Sequence, residues 1–307
     1  MLADPKAETR LASPCVGVCR LDERTGWCLG CGRSAVELAA WRDLDEEARE
    51  RLWRQLPGRR QRLGLRFGLL PWTPRALLAR LAELSEQPGA AWSIGVHGAV
   101  AELMAAPGQA VEAVLDAEAL TLRTAGGRLR IAIHPGLRAF SLMDGGGRIA
   151  RIVLALHRSR LPAPSHGVAD LGPDGHAIEP AARNHRLFDL GLGLAPVRFC
   201  VRTGDEAVAT ALRRRAGRSV LEPGSPLMPV LLAASPDRIL ASPLGRMEVE
   251  GPILHHGHEG PHSHLLPDLL AQNRELEPGF ELPEAYAPCA TFHPPDIEAV
   301  VNPATGH

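Results

Sequence analysis

Lysine is almost missing from this chain: Lys6 is the only one, and the other 33 of the 34 basic residues are arginine. No lysine is therefore placed for a phosphate-binding loop, a pyridoxal Schiff base or a kinase-type strand. Aromatic residues are scarce at 4%, with Tyr286 the single tyrosine, so a core must be built from Leu, Val, Ile and Ala. Charge of either sign is not in excess: the formal net charge is −1, which gives no global pull toward nucleic acid or an acidic membrane. No apolar run approaches the ~18–20 residues needed to span a bilayer. The serine elbow G-x-S-x-G does not occur. Met1–Ala12 has charge but no apolar stretch, so no secretory signal is expected. These absences lead to the expectation of a cytoplasmic protein in a reducing compartment, where disulfides are rare.

What is present is an uneven set of six cysteines. Cys15, Cys19, Cys28 and Cys31 fall together, whereas Cys200 and Cys289 stand alone. Clustered thiols in a reducing compartment point to a metal rather than to bridges. The spacing C-x3-C-x8-C-x2-C lets two short turns close a tetrahedral thiolate shell. In Cys28-Leu29-Gly30-Cys31-Gly32 the glycines free backbone N–H groups to turn toward sulfur. Zinc and an iron–sulfur cluster both suit four thiolates, and the residues do not choose between them. A closed protein ligand set leaves no open position for metal hydrolysis.

The flanking residues organise this region into a small unit over 1–62. Ser34-Ala35-Val36-Glu37 is a capping-box pattern and starts a short helix through Trp41. A second short helix is expected from Asp43–Asp45, with Ala48, Leu52 and Leu56 on one face, stopping at Pro57-Gly58. Arg59, Arg60 and Arg62 follow, without interleaved aromatics, so nucleic acid is not the expected partner.

Ser13-Pro14-Cys15-Val16-Gly17-Val18-Cys19, Gly26-Trp27-Cys28-Leu29-Gly30-Cys31-Gly32-Arg33, Trp41 and Leu56-Pro57 carry a specific pattern. It resembles domain of unknown function 1289, a small bacterial domain often labelled a predicted Fe–S protein. The resemblance covers about the first fifth of the chain and implies a metal domain.

From 63 to 307 the pattern is α+β. Thr73-Pro74 starts a helix reaching Glu86 with Leu77, Leu81 and Leu84 on one face. Short strands are expected at Trp92–Val96, Ala99–Leu103, Val111–Leu115, Leu120–Thr124, Leu129–Ile133, Leu137–Met143 and Ile149–Leu156. Tight turns join them, so the sheet should be mainly antiparallel. Residues 162–186 read as a long loop. A strand at Pro196–Arg202 and a helix at Gly204–Ala216 follow. Pro229–Ala234, Arg238–Ala241 and Met247–Glu250 read as further strands. The order of helix, strands, helix, strands hints at two similar halves. Arg213, Arg214, Arg215 and Arg218 read as a solvated helix end favoured by the helix dipole. Cys200 reads as a buried apolar thiol. Cys289 has no base paired with it that would make it a nucleophile.

A second ligand set is offered by the segment His255, His256, His258, Glu259, His262 and His264, with Asp268 beyond it. Histidines with a nearby carboxylate suit zinc, iron or nickel, and His262, His264 and Glu259 are the possible second metal site. A solvated Gly/Pro loop explains the same residues equally simply.

Trp92-Ser93 with Gly98-Ala99-Val100-Ala101-Glu102, Ser242-Pro243-Leu244-Gly245-Arg246 and Glu259-Gly260-Pro261-His262-Ser263-His264 resemble an uncharacterised bacterial family. The run from Leu120-Thr121-Leu122 to Val153, with Gly126-Gly127 and Gly145–Gly147 as turns, resembles cytosolic haem-carrier folds. That likeness implies a split antiparallel sheet and a histidine axial ligand, for which His97, His134, His157 and His185 are the candidates. The expectation is a two-domain, metal-binding accessory protein rather than a stand-alone catalyst, acting on a protein partner or small ligand. A haem or small-ligand carrier, and a metal-dependent enzyme built on His262 and His264, are the alternatives.

Overall fold

The computed structural model describes residues 11, 13–16, 19–65, 67–96, 99–104, 108–143, 149–161, 166–192, 197–220, 222, 225–252, 263–264 and 282–295. Helix α1 spans Ala35–Ala40 and begins with the expected capping box: Ser34 Oγ accepts from Glu37 N–H, and the Glu37 carboxylate accepts from Ser34 N–H. Helix α2 spans Glu46–Arg62, capped by Asp45 through Ala48 N–H at 2.7 Å. It does not stop at Pro57, as the sequence suggested; the proline lies inside it. A mid-helix proline removes one hydrogen bond and costs about 3 kcal/mol. Tertiary contacts of the last turns offset this. Leu56 is fully buried, Arg60 is buried, and Arg59 forms a two-pronged ion pair with Glu37 at 2.6 and 3.0 Å. Arginines at the helix C-terminus also complement its dipole.

Strand β1 (Phe67–Leu69) leads into helix α3 (Pro74–Ser85), which Thr73 caps through Ala76 N–H. Leu77, Leu78, Leu81 and Leu84 of α3 are buried. Seven strands follow, as expected: β2 (Ala91–Val96), β3 (Ala99–Met104), β4 (Glu112–Leu115), β5 (Ala119–Thr124), β6 (Gly127–Ala132), β7 (Arg138–Met143) and β8 (Ile149–His157). The region read as a loop holds β9 (Ala169–Pro173), an edge strand whose exposed residues gave no alternating signal. Strands β10 (Arg186–Asp189) and β11 (Arg198–Thr203) and helix α4 (Glu206–Arg214) come next. The segment Pro229–Ala234, read as a strand, is helix α5 (Leu227–Ala234); a short all-apolar run does not distinguish the two by periodicity. Strands β12 (Asp237–Ser242), β13 (Gly245–Val249), β14 (Ser263–His264) and β15 (Tyr286–His293) complete the described elements.

Two antiparallel sheets result. One has the order β1-β7-β8-β15-β2-β3-β14 and the other β4-β5-β6-β13-β12-β11-β10-β9. Both draw strands from early and late in the chain, so the two sequence halves do not fold as two units. The main core lies between the sheets and under α3, α4 and α5. Trp92 is buried in it, its indole N–H bonded to Ser85 Oγ at 2.9 Å.

A second, smaller core forms on the opposite face of the seven-stranded sheet. Strand β8 serves both: Ile152, Leu154 and Leu156 point to the main core, and Val153 and Ala155 to the second. Burial on both faces explains why this strand reads as a continuous apolar run rather than an alternation. Val16, Leu52, Trp53 and Leu56 of the cysteine-bearing region pack there against Phe67, Phe140, Leu142 and Val153. The N-terminal module is thus seated on the sheet through α2. The class is α+β: a small cysteine-bearing module with helices, then a larger body dominated by antiparallel sheet.

Candidate metal centre

All four cysteines precede α1, Cys28 and Cys31 in the second of two successive turns. The first turn is built by Asp22, whose carboxylate accepts from the Thr25 N–H and hydroxyl, while Asp22 N–H bonds Trp27 O at 2.8 Å. This closes a miniature hairpin in which Leu21 lies opposite Cys28, and a second bridge, Trp27 opposite Ser34, encloses the next turn. The second turn is the knuckle itself. Cys28 N–H bonds Arg33 O at 2.7 Å, and Gly32 N–H bonds Cys28 O at 2.8 Å. Gly32 adopts φ +80°, a left-handed conformation that favours glycine. Cys19 adopts φ +46°, which is unusual outside glycine and marks local strain at this position.

Cys28 and Cys31 are buried, Cys15 is half-buried and Cys19 is exposed. No disulfide joins any of the six cysteines. Both buried sulfurs of the knuckle receive a hydrogen bond: Gly30 N–H donates to Cys28 Sγ at 3.4 Å, and Arg33 Nε–H donates to Cys31 Sγ at 3.4 Å. Cys15 lies beside Cys19 and pushes its thiol pKa up, with Cys28 adding to the effect from further away. Burial pushes the Cys31 thiol up, and Arg33 pulls it back down. The thiols thus influence one another pairwise, Cys15 and Cys28 on Cys19 and Cys28 on Cys31. Among the described residues, no group of three or more His, Cys, Asp or Glu side chains is close enough to hold a metal ion as it stands.

Arginine surrounds this centre. Arg33 is 2% exposed and lies over the Trp41 ring at 5.2 Å; Arg49 lies over the same ring at 5.4 Å. Arg59 and Arg62 both lie over Trp27 at 5.4 Å. The arginine tail that ended the sequence module is thus its packing surface.

The other expected ligands fare differently. His255, His256, His258, Glu259, His262, Asp268 and His97 lie outside the described residues. The His264 backbone pairs with Val100 at the edge of the seven-stranded sheet. Reading the histidines singly misses that His258-Glu259-Gly260-Pro261-His262 spells H-E-x-x-H. That motif needs a helix to bring its imidazoles to one face, and Gly260-Pro261 is the pair least suited to continue one. His134 Nδ1 accepts from Gly136 N–H at 2.9 Å, His157 Nδ1 is 2.7 Å from Ser159 Oγ, and the His185 ring packs against Gly204.

Two polar groupings were not legible in the sequence. On β2 and β15, Ser93 Oγ lies 3.0 Å from His293 Nε2; burial and then Arg151 lower the His293 pKa, against Glu102. On the eight-stranded sheet a buried ionic network joins Arg202 to Glu248 (2.9 Å), Asp174 (3.2 Å) and Asp237 (2.8 Å), and Arg246 to Asp174 (2.8 and 2.6 Å). Ile178 N–H also donates to Glu248. Burial would raise the Asp174 pKa, but Arg246 and Arg202 hold it below the ordinary carboxylate value. Each of these carboxylates faces a guanidinium, so the network is a self-contained brace. Cys200 and Cys289 are core thiols; burial raises both, Cys289 to about 12. At the end of α4, Arg213 pairs with Glu206 and Asp170, as a solvated helix end does. No helix among the described residues is long and apolar enough to cross a membrane.

Comparison with known proteins divides the chain in the same way. A family of unknown function (DUF6925) matches residues 76–300, and a protein family of unknown function (DUF1289) matches residues 13–60. No curated protein and no solved structure matches.

Proposed function

Starting from a chain that belongs to the family of unknown function DUF6925 and carries the DUF1289 pattern at its N-terminus, we propose that it is a metal-binding accessory protein. Cys15, Cys19, Cys28 and Cys31 would supply four thiolates to a single centre, either zinc or an iron–sulfur cluster. The observation that carries this reading is the treatment of the knuckle sulfurs. Cys28 and Cys31 are buried, and each accepts a hydrogen bond from an N–H donor. A buried thiol needs no such donors, whereas metal thiolates use N–H bonds to spread their charge.

Bound zinc would act as a staple, and a cluster would add electron transfer. The chain's own residues do the rest: Gly30 turns its N–H to the Cys28 sulfur, and α2 carries the module on the sheet. Reduced thiols of this kind suit a cytoplasmic setting. The large body, seated against the module, would then present it to a protein partner or small ligand.

The test is an absorption spectrum and sulfide assay on anaerobically purified full-length protein. A colourless zinc protein identifies a structural knuckle. A brown protein absorbing near about 400 nm with labile sulfide identifies a cluster. A colourless protein lacking both metals overturns the reading.

A further inference from the structure

The face of the seven-stranded sheet turned away from the main core is divided in two. One half is apolar and seats the cysteine-bearing module on Phe67, Phe140, Leu142, Val153 and Ala155. The other half is polar. Trp92 and Ile94 of β2, Ala101 and Leu103 of β3 and Phe292 of β15 belong to the main core. Strand alternation therefore turns Ser93, Glu102, Thr291 and His293 to the opposite face. The register sets them in rows: Val153, Thr291, Ser93 and Glu102 stand side by side across β8, β15, β2 and β3. His293 stands in the next row, opposite Ala91. Arg151 lies beside it, one residue beyond the pair Phe292–Ile152.

From that diagonal position the imidazole reaches the serine, with Ser93 Oγ 3.0 Å from His293 Nε2. Ser93 is 9% exposed, and the partner its hydroxyl meets is a nitrogen basic enough to take its proton. Burial and then Arg151 hold the His293 pKa below the ordinary 6.5, against Glu102, so the ring is neutral at pH 7 and can accept. Glu102, directly opposite Ser93, in turn favours the imidazolium that a proton transfer creates. The cysteine module and the buried ionic brace use none of these residues.

We propose that Ser93 and His293 form a nucleophile–base dyad for acyl transfer from a carboxylic ester, with Arg151 drawing the negative charge that develops on the acyl oxygen. With the ring proton on Nδ1, Ser93 Oγ attacks the ester carbonyl and its proton passes to His293 Nε2. The bond from the acyl carbon to the leaving oxygen breaks, and His293 returns the proton to that oxygen. Water, deprotonated by the same nitrogen, then releases the acid and restores the serine. The dyad stands independently of the metal reading.

A fluorophosphonate probe on the full-length protein tests this, because it reports an activated serine by exchanging its P–F bond for P–Oγ. Peptide mass spectrometry should place the label on Ser93. The labelling rate should rise with pH through a midpoint below 6.5, where His293 becomes neutral, and level off above it. Neither result needs a variant. Ser93→Ala should abolish the label and the hydrolysis of p-nitrophenyl acetate, and His293→Gln should slow both at least about 100-fold. Arg151→Gln should slow labelling and move the midpoint upward, which a merely structural arginine would not do. Circular dichroism spectra matching the wild type show that the variants are folded. A folded wild type that takes no label at Ser93, or equal labelling rates in the wild type and His293→Gln, overturns the proposal.

Discussion

Leu56 offers the sharpest test of how the module is attached. It is fully buried, it lies against Gly32 of the knuckle, where an added Cβ would stand 3.7 Å from its Cδ2, and it belongs to the second core with Phe67, Phe140 and Val153. Leu56→Ala removes three carbon atoms from a site walled by a helix and a sheet that cannot both collapse inward. A Leu→Ala change of this kind costs about 3 kcal/mol, within a range of about 2–5. With a urea slope of about 3 kcal/mol/M, the unfolding midpoint should fall by about 1 M. Tryptophan fluorescence reads the module through Trp27, Trp41 and Trp53 once Trp72 and Trp92 of the body are replaced by Phe, and far-ultraviolet circular dichroism reads the sheets. Both signals should move together, because the second core is shared by module and sheet. Val36→Ala in α1, at a position 77% exposed, is the control and should stay within about 0.5 kcal/mol of the wild type. If Leu56→Ala costs less than about 1 kcal/mol, or if the circular dichroism midpoint holds while fluorescence falls, the module is not seated as described.

Two predictions concern the ionic brace of the eight-stranded sheet. Glu248→Gln leaves Arg202 and Arg246 short of a charge in a fully buried site and should cost about 3 kcal/mol in urea unfolding; a loss under about 1 kcal/mol would mean that the network is not load-sharing. Asp174 has its folded pKa depressed, chiefly by Arg246 and Arg202 against its own burial, so its charge stabilises the fold above its unfolded value and that contribution fades as pH falls through the folded value. Asp174→Asn should therefore be less stable at pH 7 and should show a flatter decline below about pH 4 than the wild type; parallel pH curves would contradict this.

How far the sequence carried the account depended on whether a feature was local. The capping box at Ser34 and Glu37, the Thr73-Pro74 start of α3 and seven consecutive strands were legible because capping and turn chemistry act within a few residues. Pro57 misled because the contacts that hold the helix past it, Arg59 to Glu37 and Arg60 to Gly68, come from elsewhere in the chain. Strand β15 was missed because Pro288 falls at a register shift within it, and a proline inside an apolar stretch argues against a strand. Segment 227–234 was misread because apolar runs look alike in helices and buried strands. The knuckle turn at Cys28-Leu29-Gly30-Cys31-Gly32 was legible from its glycines and spacing. The arginines around it were not: a run such as Arg59-Arg60-Gln61-Arg62 looks like a solvated tail until β1 is seen to cover Arg60. Ser93 and His293 lie 200 residues apart and meet only through the pairing of β15 with β2.

The central claim is that four N-terminal thiolates hold one metal centre. Elemental analysis of gently purified full-length protein, beside Cys31→Ser prepared identically, tests it most directly. The account predicts about one zinc per chain, or iron in cluster stoichiometry, in the wild type and a loss of most of it in Cys31→Ser, because removing one thiolate opens the tetrahedral set. Less than about 0.2 metal per chain in the wild type, or equal metal content in the two proteins, would contradict it.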